Sequence, residues 1–316
     1  MDLHRPIRIG TRGSRLALWQ AHHVAARLEL AQLTTEIVII TTKGDIVLDR
    51  SLDKIGAKGV FTEELEESLR SGAIDIAVHS AKDVQSTIPA DLELLAFMER
   101  EKVNDVIVSY DPNLDLSRPD LVLGTSSTRR KALLRRHYPH ATTAEARGNL
   151  QTRLRKLEEG QYHALVLAYA GVHRMEYDQL IRHVLPETQF VPATGQGSVA
   201  VECARSLEPA LKAELQRHLD HAPTHICLLA ERAFLRTMEG GCSIPSFALA
   251  TFTAEGAVQL HGGLISLDGE QYLEETLTTA ADARAVEAMG IELAERILGR
   301  GGREILDDIR SQRAVS

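Results

Sequence analysis

Short apolar runs alternate with stretches of helical period through the first two thirds of the chain. An apolar or β-branched run is typical of a strand, and apolar residues at every third or fourth position are typical of a helix that packs on a sheet. The predicted strands are residues 7–10, 36–42, 74–79, 105–110, 121–124 and 164–168, and the predicted helices are residues 14–30, 62–71, 128–137 and 147–159. This alternation predicts an α/β fold with two tandem lobes, each built on a parallel, doubly wound sheet with helices on both faces.

The last third of the chain has a different pattern. A long predicted helix ends at Gly240 and Gly241, and three strand-like runs and a further helix follow it. Asp268-Gly269 between the last two runs is a strong hairpin signal. We therefore expect a smaller α+β C-terminal domain with an antiparallel three-stranded sheet. The predicted domains are residues 1–100 with 197–220 for the first lobe, 101–196 for the second lobe and 221–316 for the C-terminal domain.

Composition and charge argue against several classes of protein. Hydrophobic residues make up 44% and charged residues 25% of the 316 residues, which is ordinary for a folded globular chain. No apolar run approaches the roughly 20 residues that cross a bilayer, and the first residues lack the pattern of a signal peptide, so we expect a cytoplasmic protein with no membrane partner. A formal net charge of −8 disfavours nucleic-acid binding. Any bound anion must then be held by a local group of basic residues.

Basic residues follow several of the predicted strands. Arg12, Lys82 and Arg174 each come soon after an apolar run, and Arg129 and Arg130 follow another. Ligands bind beyond the carboxyl ends of strands in an open α/β sheet, so we expect these side chains to face one crevice. Arginine can bind a carboxylate at two points, and a serine before residue 128 can cap a helix whose free N–H groups attract anions. The pattern does not separate phosphate, sulfate and carboxylate, and solvated surface arginines are the alternative.

Two further segments carry candidate chemistry. Arg147 and Arg153 lie at the start of a predicted helix and share a face if its first turn bends, whereas pairing of Arg147 with Glu145 is the alternative. Lys82 and Asp83 are neighbours at a strand end. They are either a structural ion pair or a lysine that holds an anion beside a carboxylate that stabilises a developing cation.

Cys242 differs from the other two cysteines of the chain. Cys203 lies in a strand-like run and Cys227 in a predicted helix, where free cysteines are usually buried and inert. Cys242 follows two glycines on a loop, so its sulfur can reach a cleft. The chain has no C-x-x-C spacing, which favours reduced thiols. Residues 218–227 contain three histidines and a cysteine, but Pro223 interrupts a continuous ligand-bearing face, and we expect no metal site.

Several segments together resemble the porphobilinogen deaminase family, also called hydroxymethylbilane synthase. They occur in the family's order, with similar intervals, over nearly the whole chain. The segments are residues 10–14 (GTRGS), 18–20 (LWQ), 56–61 (GAKGVF), 79–83 (HSAKD), 124–130 (GTSSTRR), 147–149 (RGN), 167–171 (LAYAG), 195–197 (GQG) and 239–242 (EGGC). The resemblance implies two lobes like those of periplasmic binding proteins and a smaller third domain that carries a cysteine.

The resemblance also implies a reaction and a cofactor. Enzymes of this family join four porphobilinogen molecules head to tail into hydroxymethylbilane, in tetrapyrrole and haem biosynthesis, and release ammonia at each step. A dipyrromethane cofactor, made from the substrate, is held by a thioether that the resemblance places on Cys242. Each pyrrole bears an acetate and a propionate, so the growing chain presents many carboxylates to basic residues. We expect a monomeric enzyme.

The resemblance assigns roles to individual residues. Asp83 matches the family's catalytic residue, which holds pyrrole N–H groups and stabilises the azafulvene cation left when ammonia departs. The expected cofactor-binding residues are Cys242, Ser80, Lys82, Thr125, Ser127, Arg129, Arg130, Arg147 and Arg153. The expected substrate-binding residues are Arg12, Ser14, Lys58, Phe61, Arg174 and Gln196. Lys58 and Phe61 are expected on a closing loop that excludes water.

The chain departs from the family's pattern in a few places. Gln85 replaces a usual proline, Thr128 replaces an aliphatic residue, Phe247 replaces a common glycine, and residues 100–105 are a weak version of the hinge segment. None of these changes removes a charged or covalent group from the expected site. Two rival functions are a non-catalytic anion-binding protein, which needs no loop cysteine, and a phosphate-transferring enzyme, for which the chain has neither a P-loop nor a G-x-G-x-x-G after a strand.

Overall fold

The computed structural model describes residues 5–43, 62–241 and 244–314. The helices are α1 Arg15–Leu30, α2 Glu63–Arg70, α3 Thr128–His137, α4 Leu150–Glu158, α5 Tyr169–Arg174, α6 Pro209–Leu219, α7 Ala222–Thr237, α8 Ala283–Ile297 and α9 Arg303–Ala314. The strands are β1 Ile7–Thr11, β2 Thr35–Ile39, β3 Ile76–Ser80, β4 Leu92–Phe97, β5 Asp105–Val108, β6 Val122–Gly124, β7 Thr142–Ala144, β8 Ala164–Ala168, β9 Ile181–Val184, β10 Val199–Ala204, β11 Ser246–Phe252, β12 Val258–Ile265 and β13 Tyr272–Thr279. The chain divides into two compact units, Met1–Glu101 with Gly197–His225 and Lys102–Gln196 with Ile226–Ser316.

The first unit is built on a five-stranded sheet in the order β2-β1-β3-β10-β4. β1 is parallel to β2 and β3, whereas β10 is antiparallel to both of its neighbours. One face packs against α1 and α6, with Val24 and Leu215 in the same core as Ile9. The other face packs against α2 through Leu65 and Leu69. Burial on both faces explains why these strands have nearly continuous apolar sequences.

The second unit contains a five-stranded sheet in the order β7-β6-β8-β5-β9. β6 is parallel to β7 and β8, and β5 is antiparallel to β8 and β9. α3 packs on one face through Leu133, and α4 packs on the other through Leu154 and Leu157. Helices therefore cover both faces of this sheet, as the alternation of apolar runs and helical stretches in the sequence predicts.

The sheets are mixed, which corrects the prediction of wholly parallel strands. The two exceptions, β5 and β10, are the strands by which the chain enters one unit after leaving the other. The rule that favours parallel, right-handed crossovers applies to strands joined by a helix within one sheet. Neither β5 nor β10 is reached in that way, so either direction is open to them.

The remaining part of the second unit is an antiparallel sheet in the order β11-β12-β13. Residues of β11 and β12 pair in register from Ser246 opposite Leu264 to Phe252 opposite Val258. Gly269, in the predicted hairpin, has a φ of +83°. α8 and α9 contribute to a core with Phe234 and β12. The predicted three-stranded antiparallel sheet is confirmed, whereas the exact limits of three domains stay a prediction.

Several element boundaries differ from the sequence-based ones. α4 begins at Leu150 and not at residue 147, because the Asn149 side chain caps it by accepting a hydrogen bond from Thr152 N at 2.9 Å. Strands β4, β7 and β9 and the helices α5, α6 and α9 are additional elements. Within the described residues, no helix has the length and apolar character that a membrane span requires.

Candidate active site

Side chains from two parallel strand ends meet at one edge of the first unit. Because β1 and β3 run in the same direction, the residues that follow them lie at the same edge of the sheet. Arg12, Ser14, Ser80 and Asp83 line a cavity of about 80 Å³ there. These four residues therefore bring a cation, two hydroxyl groups and a carboxylate to the cavity.

Local hydrogen bonds hold the parts of this cavity. Ser14 caps α1, and its hydroxyl accepts from Ala17 N at 3.3 Å. Residues Ala81–Asp83 form a 3-10 turn directly after β3, which leaves Asp83 exposed and Lys82 half-buried. Gln20, which is buried, donates from Nε2 to Ser80 Oγ at 2.8 Å. Gln20 was not predicted as a site residue, although its LWQ segment was among the matching ones.

A buried ion cluster lies at one edge of the second unit. Asp105 is fully buried and accepts hydrogen bonds from Arg129 Nη2 at 2.8 Å and from Arg130 Nη2 at 2.7 Å. Because β5 is antiparallel to β8, its first residue, Asp105, lies opposite Ala168 at the end of β8. Gln196 Nε2 donates to the same carboxylate at 2.9 Å. Asp105 was not predicted as a site residue, because sequence places it at the start of a strand.

The cluster of Asp105, Arg129 and Arg130 has one more cation than anion. Arg129 Nη1 donates to Val191 O at 2.7 Å, and Arg130 Nη1 donates to Val166 O at 3.0 Å. Arg129 Nε is buried and has no hydrogen-bond partner among the described residues. A buried guanidinium that lacks a full set of acceptors is costly unless a further acceptor arrives. The cluster therefore fits an anionic ligand.

The ionisation of these groups follows from the same contacts. Burial alone would raise the pKa of Asp105, but the charges of Arg129 and Arg130 outweigh burial and hold that pKa well below its usual range. Burial lowers the pKa of Arg129, although Asp105 partly offsets this effect. Asp105 is thus a fixed negative charge between two cations.

The loop between β6 and α3 presents hydroxyl groups. Ser127 caps α3 and accepts from Arg130 N at 3.4 Å, so it is the serine before residue 128 that caps this helix. Ser126 Oγ instead accepts from Ala146 N at 3.1 Å. Thr125 is buried, and its hydroxyl accepts from Ser127 N at 3.3 Å. The N-terminus of α3 is therefore well ordered beside the two buried arginines.

The basic residues around α4 have acceptors within their own loop. Arg147 Nε lies 3.1 Å from Glu145 Oε2, which is the pairing that the sequence left open. Lys131 also pairs with Glu145. Arg153 Nε donates to Gly148 O at 2.8 Å. Roles for Arg147 and Arg153 in ligand binding stay predictions.

Two other predicted site residues, Arg174 and Gln196, lie in the second unit. Arg174 is the last residue of α5 and is half-buried. Gln196 is buried, and its Nε2 also donates to Val103 O at 2.7 Å. The contacts of Gln196 are those of a residue that supports the ion cluster, and its predicted contact with substrate stays a prediction.

Three predicted site residues, Lys58, Phe61 and Cys242, lie outside the described residues. The loop before Cys242 begins where α7 ends, and a side chain at Gly240 would meet Leu235 Cδ1 at 2.6 Å. A side chain at residue 240 would therefore require Leu235 to move. The described residues contain no group of three or more His, Cys, Asp or Glu side chains that could hold a metal ion.

Comparison with known proteins gives the same family over both units. Residues 7–212 match the family model described as "Porphobilinogen deaminase, dipyromethane cofactor binding domain", and residues 225–299 match "Porphobilinogen deaminase, C-terminal domain". The porphobilinogen deaminase of Cytophaga hutchinsonii is 54% identical over 310 residues, which cover 98% of each chain. That of Desulfosudis oleivorans is 48% identical over 312 residues, which cover 98% of this chain and 99% of the relative.

Solved structures also align with part of the chain. The methionine-binding protein MetQ is 13% identical, covers 66% of this chain and 87% of its own, and has a TM-score of 0.42. The periplasmic VFT2 domain of Bordetella pertussis BvgS is 18% identical, covers 67% of this chain and 92% of its own, and has a TM-score of 0.39. The two matching family models and the full-length relatives establish that the chain belongs to the porphobilinogen deaminase family and contains its dipyrromethane cofactor binding domain.

Proposed function

We propose that the chain joins four porphobilinogen molecules head to tail into hydroxymethylbilane, on a dipyrromethane primer attached to Cys242. The observation that carries this proposal is the buried cluster of Asp105, Arg129 and Arg130, in which two guanidinium groups face one carboxylate. A ligand rich in carboxylates supplies the missing negative charge. Porphobilinogen and its oligomers are ligands of that kind, because every pyrrole carries an acetate and a propionate.

The residues of the second unit fit the dipyrromethane cofactor. Among the described residues, Arg129 has a buried Nε without an acceptor, and Thr125 and Ser127, which precede it in the chain, carry hydroxyl groups. Once bound, the cofactor would supply the free pyrrole carbon to which the first unit is joined, and each later unit would be joined to the ring added before it. Arg129 and Arg130 would hold its carboxylates, and Asp105 would keep both guanidinium planes fixed before the cofactor arrives.

The residues of the first unit fit the reacting end of the substrate. Asp83 is exposed to the cavity that Arg12 and Ser14 also line. Arg12 and Ser14 would bind a substrate carboxylate, whereas Asp83 would accept a hydrogen bond from pyrrole N–H. A carboxylate in that position stabilises the positive charge that develops when ammonia leaves. Gln20 donates to Ser80 Oγ, so Ser80 retains its own hydrogen for a ligand.

We further propose a monomeric, cytoplasmic enzyme without a nucleic-acid or membrane partner. A net charge of −8 opposes the binding of nucleic acid. Cys203 and Cys227 are buried thiols, which suits a reducing compartment. Burial raises the pKa of the Cys203 thiol to about 12, so this sulfur is a poor nucleophile and a poor site for the primer.

The proposal is tested by intact-mass spectrometry of the purified protein, before and after porphobilinogen is added. We expect an added mass equal to two condensed pyrroles, localised to Cys242, and further pyrrole units after substrate is added. Cys242→Ser should remove the added mass, and the matched change Cys227→Ser should retain it. The proposal is contradicted if the wild-type protein has only the mass calculated from its amino-acid sequence and keeps that mass after porphobilinogen is added.

A further inference from the structure

His79 and Glu202 form a buried pair beneath the cavity of the first unit. His79 is 6% exposed and Glu202 is 1% exposed, and His79 Nε2 lies 3.1 Å from Glu202 Oε2. β10 pairs with β3 so that Ala200 is opposite His79 and Glu202 is opposite Ala77. The two side chains are therefore diagonal neighbours on one face of the sheet. His79 also lines the cavity together with Arg12, Ser14 and Asp83.

A net negative charge on this pair is unfavourable. Glu202 Oε1 is buried without a hydrogen-bond partner among the described residues. An ionised carboxylate in that state is costly unless a cation compensates it. Among the described residues, the other charged groups near this edge of the sheet include Arg12 after β1 and Lys82 and Asp83 in the turn after β3. Glu66 on α2 is buried, accepts a hydrogen bond from Gln85 and lies 3.6 Å from Arg70. Positive and negative groups are both present there, so the group that compensates Glu202 is the one in direct contact with it, His79.

If His79 and Glu202 together carry no net charge, it follows whether the second ring nitrogen of His79, Nδ1, carries a hydrogen. If Glu202 is ionised, His79 is an imidazolium, and both of its nitrogens carry hydrogen. If Glu202 is protonated, it donates to Nε2, and the neutral ring carries its hydrogen on Nδ1. In both states Nδ1 is a hydrogen-bond donor. Since Glu202 occupies Nε2, Nδ1 is the nitrogen available to a ligand.

We propose that His79 Nδ1–H is a further donor to a ligand carboxylate in this cavity, and that Glu202 is the positioning residue that keeps the hydrogen on Nδ1. The inference rests on the proposed function, because the carboxylate is an acetate or propionate of a pyrrole. It belongs either to the attached cofactor or to the incoming porphobilinogen. Arg12 contributes a positive charge that attracts the same ligand, and His79 contributes a hydrogen bond that orients its carboxylate.

Two substitutions separate this role from a structural one. His79→Gln places an amide near the former Nε2, so it keeps a partner for Glu202 and loses the donor at Nδ1. His79→Asn places an amide near the former Nδ1, so it keeps the donor and loses the contact with Glu202. In the double variant His79→Asn with Glu202→Gln, the buried charge is also removed.

We expect His79→Gln to raise the KM for porphobilinogen about tenfold, or to lower the cofactor content by a similar factor, with little change in Tm. A higher KM at full cofactor content assigns the carboxylate to the substrate, and a lower cofactor content assigns it to the cofactor. The double variant should recover most of the wild-type KM and cofactor content. Normal KM and cofactor content in His79→Gln, with impairment confined to His79→Asn, would overturn the inference.

A second measurement needs no variant. Two-bond ¹H–¹⁵N spectra of the wild-type holoenzyme, with His79 assigned through its backbone, report which ring nitrogens carry hydrogen. A hydrogen on Nδ1 is expected, and a ring protonated on Nε2 alone rejects the inference. Wild-type turnover of porphobilinogen is measured in the same assays. Failure of that turnover counts against the proposed function, whereas turnover with an unprotonated Nδ1 counts against His79 alone.

Discussion

The ion pairs of individual carboxylates differ greatly in how much they contribute to the free energy of unfolding. Asp105 is fully buried between Arg129 and Arg130, whereas Asp120 pairs with Arg118 at the exposed surface. Exposed ion pairs contribute little to the free energy of unfolding, because water and salt screen both charges. Removal of one partner from a buried pair is far more damaging, because the other charge stays buried without compensation.

Asp105→Asn should therefore destabilise the protein by about 3–5 kcal/mol and lower the cofactor content, since two guanidinium groups lose their shared carboxylate. Urea unfolding and intact mass measure the two effects. Asp120→Asn is the matched control and should leave both nearly unchanged. An Asp105→Asn protein as stable as the control and fully loaded with cofactor would show that the ion cluster does not support the site.

Acid should weaken the folded state through the same groups. Burial raises the pKa of Asp75, but hydrogen bonds from Arg5 and Arg8 outweigh it, and the pKa of Asp75, like that of Asp105, lies well below its usual range. A carboxyl group with a lowered folded pKa stabilises the fold above its unfolded pKa of about 3.9 and loses this contribution as pH falls towards the folded value. We expect the free energy of unfolding to fall from about pH 5 downwards. The fall should be shallower in Asp105→Asn, and equal slopes in the two proteins would contradict the assignment.

Asp83→Asn tests the proposed catalytic group. Asp83 is exposed in the turn after β3, so its substitution should leave Tm unchanged. The neutral amide cannot stabilise a cation as a carboxylate does, and kcat should fall at least about 100-fold. Discontinuous assays, stopped at fixed times after porphobilinogen is added, measure kcat. The intact mass checks that the cofactor is still attached. Near-normal turnover would remove Asp83 from the mechanism.

Individual site residues were predictable from sequence where their chemistry is tied to a strand end. Arg12 and Asp83 follow parallel strands and line one cavity, and Ser14 and Ser80, which the family resemblance added, line the same cavity. Asp105 was not predictable in this way, because it lies at the beginning of its strand. Its place beside the arginines depends on the antiparallel direction of β5, which no local pattern encodes.

At the scale of elements, close helix packing in the C-terminal region depends on a missing side chain. A Cβ at Gly290 in α8 would lie 2.3 Å from Ala230 O and 2.9 Å from Ala233 Cβ, both on α7. α8 can approach α7 because residue 290 is glycine. A Cβ at the nearby Gly299, just after α8, would meet no atom within 4 Å.

Gly290→Ala should destabilise the protein by about 1–3 kcal/mol, since the two helices must move apart. Thermal unfolding measures the effect as a lower Tm. Gly299→Ala provides the control with the same added methyl group, and it should be neutral or slightly stabilising. Equal Tm values for the two variants would mean that the contact between α7 and α8 is looser than described.

Elements with apolar faces and caps were the predictable part of the fold. Ser14 and Ser127 cap α1 and α3, and the sequence places the start of α3 correctly and that of α1 one residue early. β7 and β9 were missed, because three- and four-residue edge strands lack the two-sided burial that produces a long apolar run. Edge strands carry a weaker pattern for this physical reason.

At the scale of the whole molecule, we expect one chain per particle. Multi-angle light scattering of the purified holoenzyme at several concentrations measures the molar mass directly. A mass equal to one chain plus its cofactor supports the proposed monomer. A concentration-dependent increase in mass would contradict it, and Cys242→Ser serves as the control for any contribution of the cofactor to assembly.

Translation order and spatial order disagree in the first unit. β10 lies between β3 and β4 in the sheet, but β4 ends at Phe97 and β10 begins only at Val199. On the ribosome, the facing edges of β3 and β4 therefore wait for their middle strand while the intervening segment is made. Unpaired edges of that kind invite aggregation, and such distant pairing slows folding. A nascent chain paused before Val199 is consequently the form of this protein that most needs a chaperone.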